Sequence, residues 1–119
     1  MAADGFRLII HQSIPEGELP TFTKSAQTLT TMAETTEPDT LCYEWYVSED
    51  GTDCYLVETY TTSDAFLLHL SHLMEALKTM PGPGPISEAL VFGSPSAKVR
   101  EALAGMGPKF FPLLVGCTL

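Results

Sequence analysis

A phenol, a carboxylate and an imidazole in this chain are spaced so that ordinary secondary structure would bring them together. Residues 41–48 and 54–61 are two runs of β-forming side chains on either side of Asp50-Gly51, a strong signal for a tight hairpin. Taking that pair as a two-residue turn and counting outward sets Val47 opposite Cys54, Trp45 opposite Leu56, Tyr43 opposite Glu58 and Leu41 opposite Tyr60. Tyr43 and Glu58 then share a sheet face with Trp45 and Tyr60. Further on, Ala65, Phe66, His69, Leu73, Ala76, Leu77 and Met80 recur at the spacing of one helix face. A helix laid on the sheet by that stripe turns His69 toward Tyr43 and Glu58. In an apolar slot, burial shifts the pKa values of such groups, which is how a general base near neutral pH is made. The same three residues can also form a satisfied core network, with Glu58 holding Tyr43 and His69 in place. Both readings stand at this level.

Other chemistries find little footing. His72 follows His69 by three positions, and a His pair on a helix can chelate a metal with Glu58 as third ligand. In an ideal helix, however, the two imidazoles project about 60° apart, and nothing completes the ligand set, so no metal is expected. The three cysteines form no CxxC pair and read as packing residues, with Cys42 and Cys54 on opposite sheet faces. Ser94-Pro95-Ser96 reads as a helix cap rather than a nucleophile. The stretch 82–84 has neither the strand-to-helix setting nor the lysine of a phosphate loop, and no dinucleotide fingerprint is present.

The elements that must position these groups follow from the breakers between them. A short apolar strand over 6–12 ends before Pro15 and Gly17. Leu19, Phe22, Ala26, Leu29 and Ala33 mark a helix that admits Pro20 in its first turn and closes at Pro38. The hairpin comes next. The second helix starts with Ser63 as cap and Asp64 in the first turn, where the dipole favours an acid, and the proline–glycine run 81–85 stops it. A last main strand spans 86–93, with Ile86, Leu90 and Phe92 expected on one face. The order β-α-β-β-α-β predicts a ferredoxin-like α+β fold: a four-stranded antiparallel sheet with two helices on one face. Beyond it, a helix from Ser94-Pro95 to Leu103, ended at Gly105, leads into an apolar tail with Phe110, Phe111, Leu113 and Leu114. We expect one domain over 1–119, with its core at about 6–93 and an extension at 94–119.

The open sheet face is expected to carry Arg7, Ile9, His11, Glu44, Tyr46, Tyr55, Val57, Ala89 and Val91. That mixture is too apolar for open water and too polar for a core, and a two-fold homodimer packing sheet on sheet would cover it.

Composition narrows the classes. The chain has 119 residues, 45% of them hydrophobic, which suits one folded domain. Six Lys and Arg against fifteen Asp and Glu leave a net charge of −9, which a phosphate backbone would repel, so no nucleic-acid partner is expected. No apolar run approaches a membrane span, and the N-terminal residues lack the pattern of a signal peptide. An odd number of cysteines without a disulfide framework fits the cytoplasm.

The stretches Leu41-Cys42-Tyr43-Glu44-Trp45-Tyr46, Tyr55-Leu56-Val57-Glu58-Thr59-Tyr60 and Ser63-Asp64-Ala65-Phe66…His69-Leu70, with the Asp-Gly turn between the first two, resemble the antibiotic biosynthesis monooxygenase family. Its recurring Tyr on the second strand, Glu late on the third and Ala-Phe-x-x-His helix opening fall on Tyr43, Glu58 and His69. The resemblance covers about residues 6–93 and implies a dimer with a pocket in each subunit between sheet and helices. It also implies oxidation of a small aromatic phenol or quinol by O₂, without metal, flavin or other cofactor. The catalytic residues would be His69 as base or proton relay, Glu58 as its orienter, and Tyr43, which positions substrate with Trp45; Trp45, Tyr60, Phe66 and His72 would form the substrate-binding site. Relatives of this kind also include isomerases and proteins without known activity, so a cofactor-independent isomerase or a non-catalytic ligand-binding dimer are the alternatives. The chain contains no asparagine, whereas the polyketide oxygenases and the haem-degrading branch use one in the pocket; this argues against haem degradation.

Overall fold

The computed structural model describes residues 1–117; the last two positions of the expected tail, 118–119, lie outside the described residues. The elements run β1 (Phe6–Ser13), α1 (Leu19–Thr36), β2 (Thr40–Val47), β3 (Asp53–Tyr60), α2 (Ser63–Ala76), β4 (Ile86–Gly93), α3 (Ala97–Leu103), a 3₁₀ turn (Ala104–Met106) and β5 (Lys109–Phe111). The sheet order is β2-β3-β1-β4-β5. Strands β1 to β4 are antiparallel neighbours in the ferredoxin-like arrangement, and α1 and α2 lie on the sheet's inner face. Among the described residues the sheet has five strands rather than four, because the tail adds β5 parallel to β4.

The hairpin register is the expected one from Tyr43↔Glu58 through Trp45↔Leu56 to Val47↔Cys54. The turn differs. Ser48 N–H still bonds the Asp53 carbonyl, so the loop is 49–52 rather than a two-residue turn, and Gly51 takes φ +75 where its N–H returns to the Ser48 carbonyl. Asp50 accepts from the Thr52 N–H and hydroxyl and from Ser48, and these bonds hold its carboxyl below the usual range. A register shift between Thr40 and Cys42 brings Thr40, not Leu41, opposite Tyr60 and leaves Leu41 exposed.

Strand β4 corrects a second expectation. Ala89 and Val91 face inward, buried opposite Ile10 and Leu8, while Leu90 and Phe92 lie on the open face with Ile9 and Arg7. A bulge at His11/Gln12 brings Ile86 opposite Gln12, so Ile86, Leu90 and Phe92 do not share a side. The small inner residues leave room for α3, whose Val99 and Leu103 join Phe6, Leu8, Leu56, Tyr60, Phe66 and Val91 in one core. Outside, Phe92 stacks on Phe111 of β5 at 5.4 Å. On the inner side, Phe110 receives the Arg100 guanidinium over its ring at 3.7 Å.

Helix α2 is capped by Thr62, whose hydroxyl accepts from Ala65 N–H, and not by Ser63. Ser63 is buried and ties three segments: its hydroxyl donates to the Asp4 carbonyl at 2.6 Å and accepts from Ser96 N–H at 2.9 Å. The helix ends at Ala76, and the chain turns before reaching the prolines.

Candidate functional site

The inner sheet face places Tyr43, Trp45, Leu56 and Glu58 side by side beneath α1 and α2. Glu58 and His69 are each 2% exposed. The His69 ring centre lies 4.8 Å from that of Tyr43 and 5.8 Å from that of Tyr60. Its Nε2 faces Glu58 Oε1 at 3.7 Å, beyond hydrogen-bonding distance but well within electrostatic reach.

The nearest partner of His69 is a residue the sequence reading did not single out. Glu37, the residue that closes α1, is buried, and its Oε1 accepts from His69 Nδ1 at 2.8 Å. Its Oε2 accepts from His72 Nδ1, also at 2.8 Å, and Thr40 donates to Oε1 at 3.1 Å. The two imidazoles project apart, yet one carboxylate reaches both because each of its oxygens takes one. Among the described residues, no group of three or more His, Cys, Asp or Glu is arranged around a metal position.

The two carboxyls are driven apart electrostatically. Burial pushes Glu58 up, toward its neutral acid; the neighbouring imidazole and the Tyr60 hydroxyl, which donates to Glu58 Oε1, offset this only in part. Burial also acts on Glu37, but the bonds from His72, His69 and Thr40 outweigh it and hold Glu37 low, as a carboxylate. Because an ionised carboxylate can only accept, His69 presents Nδ1–H to Glu37, and its Nε2 is left facing Glu58. The phenols are kept un-ionised: burial, before any other cause, raises both Tyr43 and Tyr60. The result is an acid and a base joined through an imidazole.

This chain of groups opens on a cavity of about 380 Å³ between the sheet and the helices. Tyr43, Trp45, Phe66, Glu58 and His69 all line it; Leu8, Ile10, Leu29, Leu70 and Leu73 make much of the rest apolar. The Trp45 indole is held by a bond to the Thr30 hydroxyl at 3.1 Å and by the edge of Phe22. Tyr60 and His72 are not on the wall. Tyr60 is fully buried behind Glu58, and His72 lies half-exposed on the far side of Glu37. At the other end the loop 81–85 forms part of the rim. It is pinned by the Ser13 N–H to Pro85 carbonyl bond, and Gly84 passes so near that a Cβ there would sit 2.1 Å from the Ser13 carbonyl oxygen.

A second polar constellation lies outside. Ser87 Oγ donates to His11 Nδ1 at 2.5 Å, and His11 Nε2 donates to Asp53 at 2.9 Å, with Tyr55 stacked on the imidazole. The order of groups is that of a nucleophile, a base and an orienter, but Ser87 does not line this cavity. Two of the cysteines are inert by environment: burial, then Glu44, pushes the Cys42 thiol up to about 11, and burial raises Cys54.

No protein-family profile and no curated protein matches the chain. Solved structures do. MupZ from Pseudomonas fluorescens is 25% identical with a TM-score of 0.83, over 97% of this chain and 94% of that one. A protein from Caulobacter crescentus named as a candidate antibiotic biosynthesis monooxygenase is 16% identical with a TM-score of 0.60, over 79% of this chain and 92% of its own. One from Nitrosomonas europaea, named likewise, is 17% identical with a TM-score of 0.58, over 79% and 93%. The coverage of the first leaves almost no room for an unmatched tail, so the likeness takes in the C-terminal extension. The chain thus has the ferredoxin-like fold of the antibiotic biosynthesis monooxygenase structures, carrying an extension that it shares with MupZ.

Proposed function

We propose that the chain is a cofactor-independent enzyme that works by proton transfer on a small, largely apolar molecule held between sheet and helices. The observation that carries this is the series Glu37, His69, Glu58 ending on the cavity wall. Glu58, held toward its neutral form, is a proton donor in a dry setting. Glu37 orients His69 at Nδ1 and balances the imidazolium that forms when Nε2 takes a proton. Tyr43, Trp45 and Phe66 offer aromatic faces to a flat substrate, Tyr60 aligns Glu58, and His72 supports Glu37 without touching the substrate.

Within this frame the likeness to monooxygenase-named structures supports oxidation of a phenol or quinol by O₂. Deprotonation of the hydroxyl at His69 gives an electron-rich phenolate, which can pass an electron to O₂ in a cavity that excludes water. A second reading, a redox-neutral isomerisation, is favoured by the opposite shifts of Glu58 and Glu37, which suit delivery of a proton at one atom and removal at another. The working unit we assign is a homodimer closed over the open sheet face. Three free cysteines suit a reducing cytoplasm, and no helix among the described residues is long and apolar enough to cross a membrane.

Oxygen uptake and product mass across a panel of phenols and quinols test the proposal. The phenol or quinol supplies all the electrons, so uptake of one O₂ per turnover with a product that has gained one oxygen atom and lost two hydrogens, the second oxygen leaving as water, is the result expected of the oxygenase. Conversion without uptake and at unchanged mass supports the isomerase. Binding without conversion of any compound overturns the enzyme and leaves a ligand-binding protein.

A further inference from the structure

The cavity has a second polar pole. Gln12 lies on its wall, 2% exposed, and its Oε1 is the one buried side-chain oxygen or nitrogen among the described residues that has no hydrogen-bond partner. An unpaired acceptor in an apolar interior is costly to keep, and a leucine or methionine there would fill the space without that cost. The oxygen is far from the proton relay. Gln12 pairs with Cys54 and Leu8 with Glu58 on the same inner face, so the two poles stand four residues apart along β1, roughly 13 Å between backbones. Between them the inner face carries Ile10 and Leu56, and the rim loop 81–85 lies at the Gln12 end.

We propose that Gln12 is a specificity-determining residue whose Oε1 accepts a hydrogen bond from a hydroxyl on the distal end of the substrate. The substrate class that fits is an elongated, mainly apolar molecule with a reacting polar group at the Glu58–His69 end and a hydroxyl at the other. This rests on the cavity being the substrate site, as proposed above, and adds the distal hydroxyl to it. A site built around an acceptor discriminates against a ligand that lacks the donor, because the acceptor then stays buried and unpaired.

The test uses the full chain and two probes that differ in one hydroxyl, 1,8-octanediol and 1-octanol. Their binding is read from the emission of Trp45, the only tryptophan and part of the cavity wall. Gln12→Met is expected to weaken the diol by about five- to tenfold, the size of one neutral hydrogen bond, and to leave the monoalcohol unchanged or tighter. It is also expected to raise Tm, since an unpaired polar group is removed; Gln12→Leu serves as the second variant should Met pack poorly. Equal effects on the two alcohols, or a fall in Tm in both variants with no change in the diol, would overturn the role of Gln12 while the cavity reading stands. Failure of both alcohols to bind the wild-type chain would overturn the cavity reading and this inference with it.

Discussion

Glu37 holds two imidazoles with one carboxylate, and the behaviour of the site with pH follows from it. Its carboxyl is held low in the folded chain, so its contribution to stability is full above the usual carboxylate range and is lost as pH falls through the depressed value. Glu58 is held high, so the opposite applies: its contribution is present in acid and is lost as pH rises through the raised value. Thermal melts from pH 2 to 8, which pass below the depressed Glu37 value, should therefore separate the two amides. Glu37→Gln should cost about 1–3 kcal/mol at pH 7 and little in acid, whereas Glu58→Gln should gain on the wild type as pH rises. Tyr43, Glu58 and His69 were legible because a hairpin count and a helix stripe each place side chains by arithmetic. Glu37 was not. It stands just past a helix, before a proline, where a charged residue normally meets water, and only the landing of the α1 end against α2 buries it. Gln12, at the end of a strand, gave no signal for the same reason: its burial depends on the loop that returns over it.

At the level of elements, the hairpin register survived a wrong turn. A four-residue loop centred on Asp50-Gly51 leaves the same cross-strand partners as a two-residue loop centred there, so the count outward holds until the bulge at Leu41 breaks it. Strand β4 shows the reverse case. Weight of side chain suggested that Leu90 and Phe92 face inward, but α3 packs over that part of the sheet and only Ala89 and Val91 fit beneath it. Phe92 finds cover on the open side against β5, a strand that the tail's composition did not announce. The caps yield a prediction here. Thr62→Ala should cost about 1 kcal/mol, the loss of one N-cap bond. Ser63→Ala should cost about 1–3 kcal/mol, because it strands the buried ends of bonds that join the N-terminus, α2 and the start of α3. Chemical denaturation of the two variants gives both values, and a larger loss at Thr62 would contradict this ranking.

For the whole molecule, the open face and the tail raise the same question of cover. Tyr46 and Tyr55 are largely exposed there, and Leu114 and Val115 are 95% and 83% exposed. With a net charge of −9, copies of the chain repel at long range, so an interface between them must rest on buried apolar area rather than on attraction of charge. Sedimentation equilibrium at micromolar concentration should give a dimer, and Tyr55→Glu should shift it toward monomer without loss of helix signal. A monomeric wild type would exclude sheet-on-sheet closure.

Glu58 and Glu37 stand as an acid and a base split across His69. Side-chain carboxyl carbons of selectively ¹³C-labelled glutamate, followed by NMR through a pH titration with Glu58→Gln and Glu37→Gln as assignments, report it without any substrate. Glu58 should titrate above the usual carboxylate range and Glu37 below it, each signal vanishing in its own amide variant. Two glutamates that titrate together at ordinary values, or in the reverse order, would contradict the relay.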